Sequence, residues 1–71
     1  MMYVRSQNRE IVSVLQSIEY KNENGYPCVF VNGVYFGSYR SKDEAMVQIE
    51  RVVANINDSV ENVITLDEKE N

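Results

Sequence analysis

The chain has 71 residues, of which 44% are hydrophobic and 25% charged, with a net charge of −4, one cysteine and no histidine. A domain this short hides only about 60% of its unfolded surface, which leaves room for one small core. A single cysteine excludes an internal disulfide, and without histidine the usual structural zinc sets cannot be assembled, so no metal and no cofactor is expected.

Tyr3 to Arg5 reads as a weak strand, and the polar run Ser6 to Arg9 as a turn. Ile11 to Leu15 is rich in β-branched residues and forms the next strand, with a break or a bulge near Gln16. Ser17–Lys21 is a third strand, turned by Asn24-Gly25 into a fourth at Pro27–Val31. The strongest local signal is Asn32-Gly33 between apolar runs, because Asn-Gly accepts the positive φ angles of a type I′ turn. That turn joins Pro27–Val31 to Val34–Arg40 and predicts a register of Val31 opposite Val34, Phe30 opposite Tyr35, Val29 opposite Phe36, and Cys28 opposite Gly37. Side chains alternate along a strand, so Val29, Val31, Val34 and Phe36 would share one face, and Cys28, Phe30, Tyr35, Gly37 and Tyr39 the other.

Beyond Ser41 the hydrophobic period changes from two to 3.6. Ser41-Lys42-Asp43-Glu44 fits a capping box, and the two acids suit the positive end of a helix dipole. Ala45, Met46, Ile49, Val52, Val53 and Ile56 form one apolar arc, with Gln48, Glu50, Arg51 and Asn55 on the outer side. The spacing predicts a helix over 42–57. Val60, Val63, Ile64 and Leu66 then fit a continued helix, a last strand over 62–66, or coil. The sequence thus predicts an α+β domain over 1–66: an antiparallel meander of about five short strands packed against one amphipathic helix, with a short C-terminal strand as one option. Residues 67–71 read as a frayed acidic tail.

From Asp58 onward five acids stand against Lys69, whereas the first 57 residues are electrically balanced. The seven basic residues are scattered, apart from Arg40 and Lys42, so no basic face suited to nucleic acid is expected. The longest uncharged stretch, Ile11 to Ile18, is interrupted by Ser13, Gln16 and Ser17, too short and polar for a signal core or a membrane span. The expected location is the cytoplasm, with no membrane partner.

Val4-Arg5-Ser6-Gln7-Asn8-Arg9 with Ile11-Val12, and Phe36-Gly37-Ser38-Tyr39-Arg40-Ser41 followed by Ala45, carry a resemblance. They resemble a family of short proteins of Gram-positive bacteria and their phages and mobile elements. Its members open on an aliphatic residue, Arg-Ser-Gln, Asp or Asn, and a basic residue, and later read aliphatic-Gly-x-Tyr-x-Thr/Ser before a helix. The resemblance covers most of residues 4–56. The chain departs from the pattern in its shorter central strands and in lacking a Met-Pro near the end. The likeness implies the α+β fold and a bacterial or phage setting, and it supplies no activity.

The candidate chemistry is sparse. Acid–base catalysis near neutral pH calls on histidine or on perturbed carboxylates and lysines, and here the acids fall at turns, on the outer helix side and in the tail. Cys28 has no evident base beside it and reads as a small residue on an alternating strand. No catalytic residue and no enzyme activity is expected. Arg5 and Gln7 are the candidate polar contact, able to bind a partner's carboxylate or backbone. The plainer reading pairs Arg5 with Glu10 or Glu19 and gives Gln7 to a turn.

Phe30, Tyr35, Tyr39 and Tyr20 are the candidate interaction surface, an aromatic face opposite the helix unless curvature or the tail covers it. The leading expectation is a non-enzymatic protein-binding or structural accessory module with an unknown protein partner, self-association as a homodimer being the simplest use of that face. The alternative is an acidic phage-type inhibitor or nucleic-acid mimic whose tail occupies a basic site.

Overall fold

The structure is a computed structural model describing residues 1–58 and 61–69. Its elements run β1 (Tyr3–Arg5), β2 (Val12–Val14), β3 (Ile18–Glu23), β4 (Tyr26–Val31), β5 (Val34–Ser38), α1 (Lys42–Asp58) and β6 (Val63–Thr65). The architecture is α+β, with short strands, one amphipathic helix and a short C-terminal strand. The strands divide into two three-stranded sheets, β2-β1-β6 and β3-β4-β5. Among the described residues the C-terminal segment is therefore a strand, and it lies parallel to β1 with Tyr3 beside Val63 and Arg5 beside Thr65. Val60, Glu70 and Asn71 lie outside the described residues.

Both Asn-Gly pairs form the expected tight turns. Asn24 and Gly25 have φ of 53° and 85°, and Asn32 and Gly33 have 54° and 80°, the left-handed pair that type I′ requires. The Asn32-Gly33 hairpin begins in the expected register, with Val31 opposite Val34 and Phe30 opposite Tyr35. It then departs from it. Val29 pairs with Gly37 and Cys28 with Ser38, so Phe36 is the extra residue of a β-bulge. One inserted residue reverses the alternation beyond it. Gly37 and Tyr39, expected on the outer face, therefore turn to the core side, and Tyr39 is 1% exposed.

The helix starts where the capping signal puts it, with the Ser41 hydroxyl accepting from the Glu44 amide at 3.1 Å, and it covers β3 and β4. Its buried face is rotated from the expected arc. Ala45 and Val52 are buried, but Val53 and Ile56 are exposed, while Gln48 and Asn55 are buried instead. The C-terminal segment causes this, because it crosses that side of α1 and brings backbone groups that need partners. The Asn55 amide group accepts from the Glu61 amide at 2.9 Å and donates to the Glu61 carbonyl at 2.7 Å. Gln48 Oε1 accepts from the Asp67 amide at 3.0 Å and from Arg51 at 2.8 Å.

Two polar side chains tie the sheets together. Gln7 follows β1, and its amide N–H donates to the Phe36 carbonyl at 2.8 Å. Its side chain then brackets the Ser38 peptide, donating to the carbonyl at 2.8 Å and accepting from the N–H at 3.2 Å. From the hairpin turn, Asn32 Oδ1 accepts from the Gln16 and Ser17 amides, both at 2.9 Å, while Nδ2 donates to the Val14 carbonyl and the Ser13 hydroxyl. Between the sheets and α1 lies one core, built from Val4, Val29, Val31, Phe36, Tyr39, Ala45, Val52, Ile64 and Leu66. The accessible surface is 4602 Å², close to the roughly 4,500 Å² that mass scaling gives a monomer of this size.

Candidate functional site

The four expected aromatic residues do not form one face. Phe30 and Tyr35 pair across β4 and β5 on the outward side, their rings edge to face at a centroid distance of 6.0 Å. Tyr35 is 49% exposed, and Lys21 Nζ lies 4.9 Å from the Phe30 ring. Tyr20 stands opposite Val29, which puts it on the helix side, where it packs against the core under the Lys42 ammonium. Tyr39 leaves the surface altogether. Its hydroxyl donates to the Asp67 carbonyl at 2.8 Å, and burial, the Asp67 carboxylate and Glu44 together push its phenol well above the ordinary range.

Tyr26, not expected at this surface, joins Tyr35 around the buried Cys28 in a cleft of about 280 Å³ completed by Glu23, Ser38 and Lys69. That volume lies below the ~300–1,000 Å³ typical of small-molecule sites. The Cys28 thiol faces the Tyr26 carbonyl at 3.4 Å, with no base among the groups lining this cleft beyond Glu23 and Lys69. An open acidic hollow of about 530 Å³ lies between the start of α1 and the chain after β6, lined by Ser41, Glu44, Val47, Gln48, Asp67 and Glu68. Among the described residues no three His, Cys, Asp or Glu side chains gather as a metal site. Nor is any helix long and apolar enough to cross a membrane.

The tail is not free from its first residue. Asp67 is bound through its amide to Gln48, through its carbonyl to Tyr39, and through its carboxylate to Arg51 at 3.2 Å.

Arg5 and Gln7 separate in role. Gln7 is spent on the Ser38 peptide, so it serves the joint between the sheets and not a partner. Its neighbour Ser6 is likewise internal, with its hydroxyl donating to Asn8 Oδ1 at 2.7 Å and accepting from the Ile11 amide at 3.1 Å. Arg5 instead points outward. The ion pairs among the described residues are Lys21–Glu23 and Arg51–Asp67, so neither Glu10 nor Glu19 neutralises Arg5.

A second surface emerges from the pairing of β1. Val4 and Ile64 share a row and are buried, which turns the adjoining rows away from the core. Those rows read Val14–Tyr3–Val63 and Val12–Arg5–Thr65 across β2, β1 and β6. Tyr3, Val12 and Val63 are 36%, 51% and 37% exposed. Four apolar side chains, a threonine and a half-buried arginine thus make an outward face without an acid. Sequence reasoning missed it, although β-branched residues two apart at 12 and 14, and at 63 and 65, were a signal. Its assembly required the β1–β6 pairing, which local pattern does not contain. No protein-family model, curated protein or solved structure matches the chain.

Proposed function

We propose that this chain is a non-enzymatic protein-binding module whose contact surface is the outward face of β2-β1-β6. The observation that carries the reading is the composition of that face. A solvated sheet face ordinarily alternates polar residues outward, yet here Tyr3, Val12 and Val63 are turned to water, beside a half-buried Val14, around one arginine. The outward pair Phe30 and Tyr35 on the other sheet is a smaller patch, already edged by Lys21. The likeness of the Arg-Ser-Gln and Gly-x-Tyr segments to short bacterial and phage proteins belongs to the same proposal, as a setting for an accessory role in the cytoplasm.

Edge-on strand addition at β2, β6 or β5 is a poorer way for this domain to bind. The Val14 carbonyl on the free edge of β2 is taken by Asn32, the Thr65 carbonyl on that of β6 by Arg51, and the Phe36 carbonyl on that of β5 by Gln7. Binding is therefore expected through a face. A photo-crosslinking amino acid at position 12, at 63, or at the exposed helix position 50 tests this in extract of the producing cell. Adducts are expected from 12 and 63 and not from 50. Equal labelling at all three positions, or none at 12 and 63, removes the reading.

A further inference from the structure

We infer that the occupant of this face is a short apolar segment of another protein that carries one aspartate or glutamate for Arg5. The inference rests on the docking reading above and adds the chemistry of the partner. Arg5 sits half-buried in the middle strand, with Val12 on one side and Thr65 on the other, and it has no carboxylate partner among the described residues. The stem of Arg5 lies on apolar neighbours, and its charge has no counter-charge among the described residues. A carboxylate brought there would form a charge-assisted fork in a partly dry setting, where such pairs are strongest.

A second copy of this chain fits the face poorly. Two-fold association sets a patch against itself, and this patch would meet its own arginine with no acid on either side. The area points the same way. Three strands about 4.8 Å apart and three residues long present a surface of roughly 10 by 14 Å, far below the ~800 Å² that each partner of a stable interface contributes. A peptide-sized segment matches that apolar footprint, whereas a stable subunit interface would have to extend well beyond it.

The test selects random phage-displayed peptides on the immobilised full chain, then synthesises the enriched sequences and measures their binding by fluorescence polarisation. Enriched peptides are expected to place Asp or Glu among aliphatic or aromatic residues. Arg5→Gln should weaken binding about tenfold or more, as should changing that acid to its amide in the peptide. The two changes together should cost little more than either alone, because both delete the same pair. Val12→Asn should also weaken binding, while circular dichroism and Tm verify that each variant is folded.

Enrichment of peptides without an acid overturns the inference, as does affinity indifferent to Arg5→Gln. A loss on Arg5→Gln with none on Val12→Asn overturns the apolar half of it. Light scattering separates the remaining case. Self-association abolished by Val12→Asn would put a second copy on the face, overturning the inference while leaving the docking reading intact. Absence of crosslinks from positions 12 and 63 would bring down both.

Discussion

Gln7 lies so close to Gly37 that a Cβ built on the glycine would stand 2.7 Å from the Cβ of Gln7. The contact is the seam between the sheets, and it explains why a residue with no side chain occupies a buried strand position. Gly37→Ala is expected to destabilise the domain by about 1–3 kcal/mol, the usual cost of overpacking, read from urea denaturation. Because the clash is with a Cβ, Gln7→Ala should not rescue it. Gln7→Gly should relieve it in part, although it gives up the hydrogen bonds to Ser38. Equal stability of Gly37→Ala and wild type would show that the seam opens freely.

The two Asn-Gly turns have the same backbone but different duties. Asn32→Gly preserves the turn and removes four side-chain hydrogen bonds to the β2–β3 junction. A loss of about 1–2 kcal/mol is expected. Asn24→Gly preserves the other turn with no such loss, and a change within about 0.5 kcal/mol is expected there. Matching midpoints for the two variants in one denaturation series would show that the Asn32 bonds contribute nothing.

Tyr39 sets a limit on alkaline stability. Its phenol is raised in the folded state by burial first, then by Asp67 and Glu44, whereas the unfolded chain ionises near pH ~10. The contribution is therefore complete below that pH and declines as pH rises through it, because the unfolded state releases its proton first. Tyr39→Phe should lower stability at neutral pH by about 1 kcal/mol through loss of the bond to the Asp67 carbonyl. It should also flatten the fall in Tm above pH ~10 relative to wild type. Parallel Tm–pH curves for the two proteins would contradict this.

Asn55 holds the entry to β6 with both ends of its amide. Asn55→Ala leaves the Glu61 N–H and carbonyl without those partners, and a cost of about 1–3 kcal/mol is expected. The local signature is faster amide exchange at Ile64 and Leu66, in and just after the strand that Glu61 leads into, with little change in β3 and β4. The Arg51–Asp67 pair is much more exposed, so Arg51→Gln should cost less than about 1 kcal/mol. Uniform exchange throughout the Asn55→Ala protein would indicate global and not local release.

Much of the fold was legible in the sequence because it is specified locally. Asn-Gly turns need positive φ, and Ser41 with Glu44 marks a helix start whatever the rest of the chain does. The bulge at Phe36 was not legible, since apolar residues on both faces of β4 and β5 give no sign that one residue is extra. That single insertion moved Tyr39 from a presumed contact surface into the core. Gln48 and Asn55 look like solvent-facing helix residues, and their burial is imposed by Glu61 and Asp67 arriving from later in the chain. Arg5 was identifiable as a candidate contact. Its apolar surroundings were not, because Thr65 and Val63 reach it only through a long-range parallel pairing.

That pairing also orders events during synthesis. β1 is made well before β6, so one of its flanks stays bare until Val63–Thr65 has been made and has cleared the exit tunnel. The hairpin and helix between them can organise earlier, from contacts close in sequence. A nascent chain stalled shortly after α1 would carry an unzipped β1 edge, a sticky intermediate to which a chaperone would have most reason to bind.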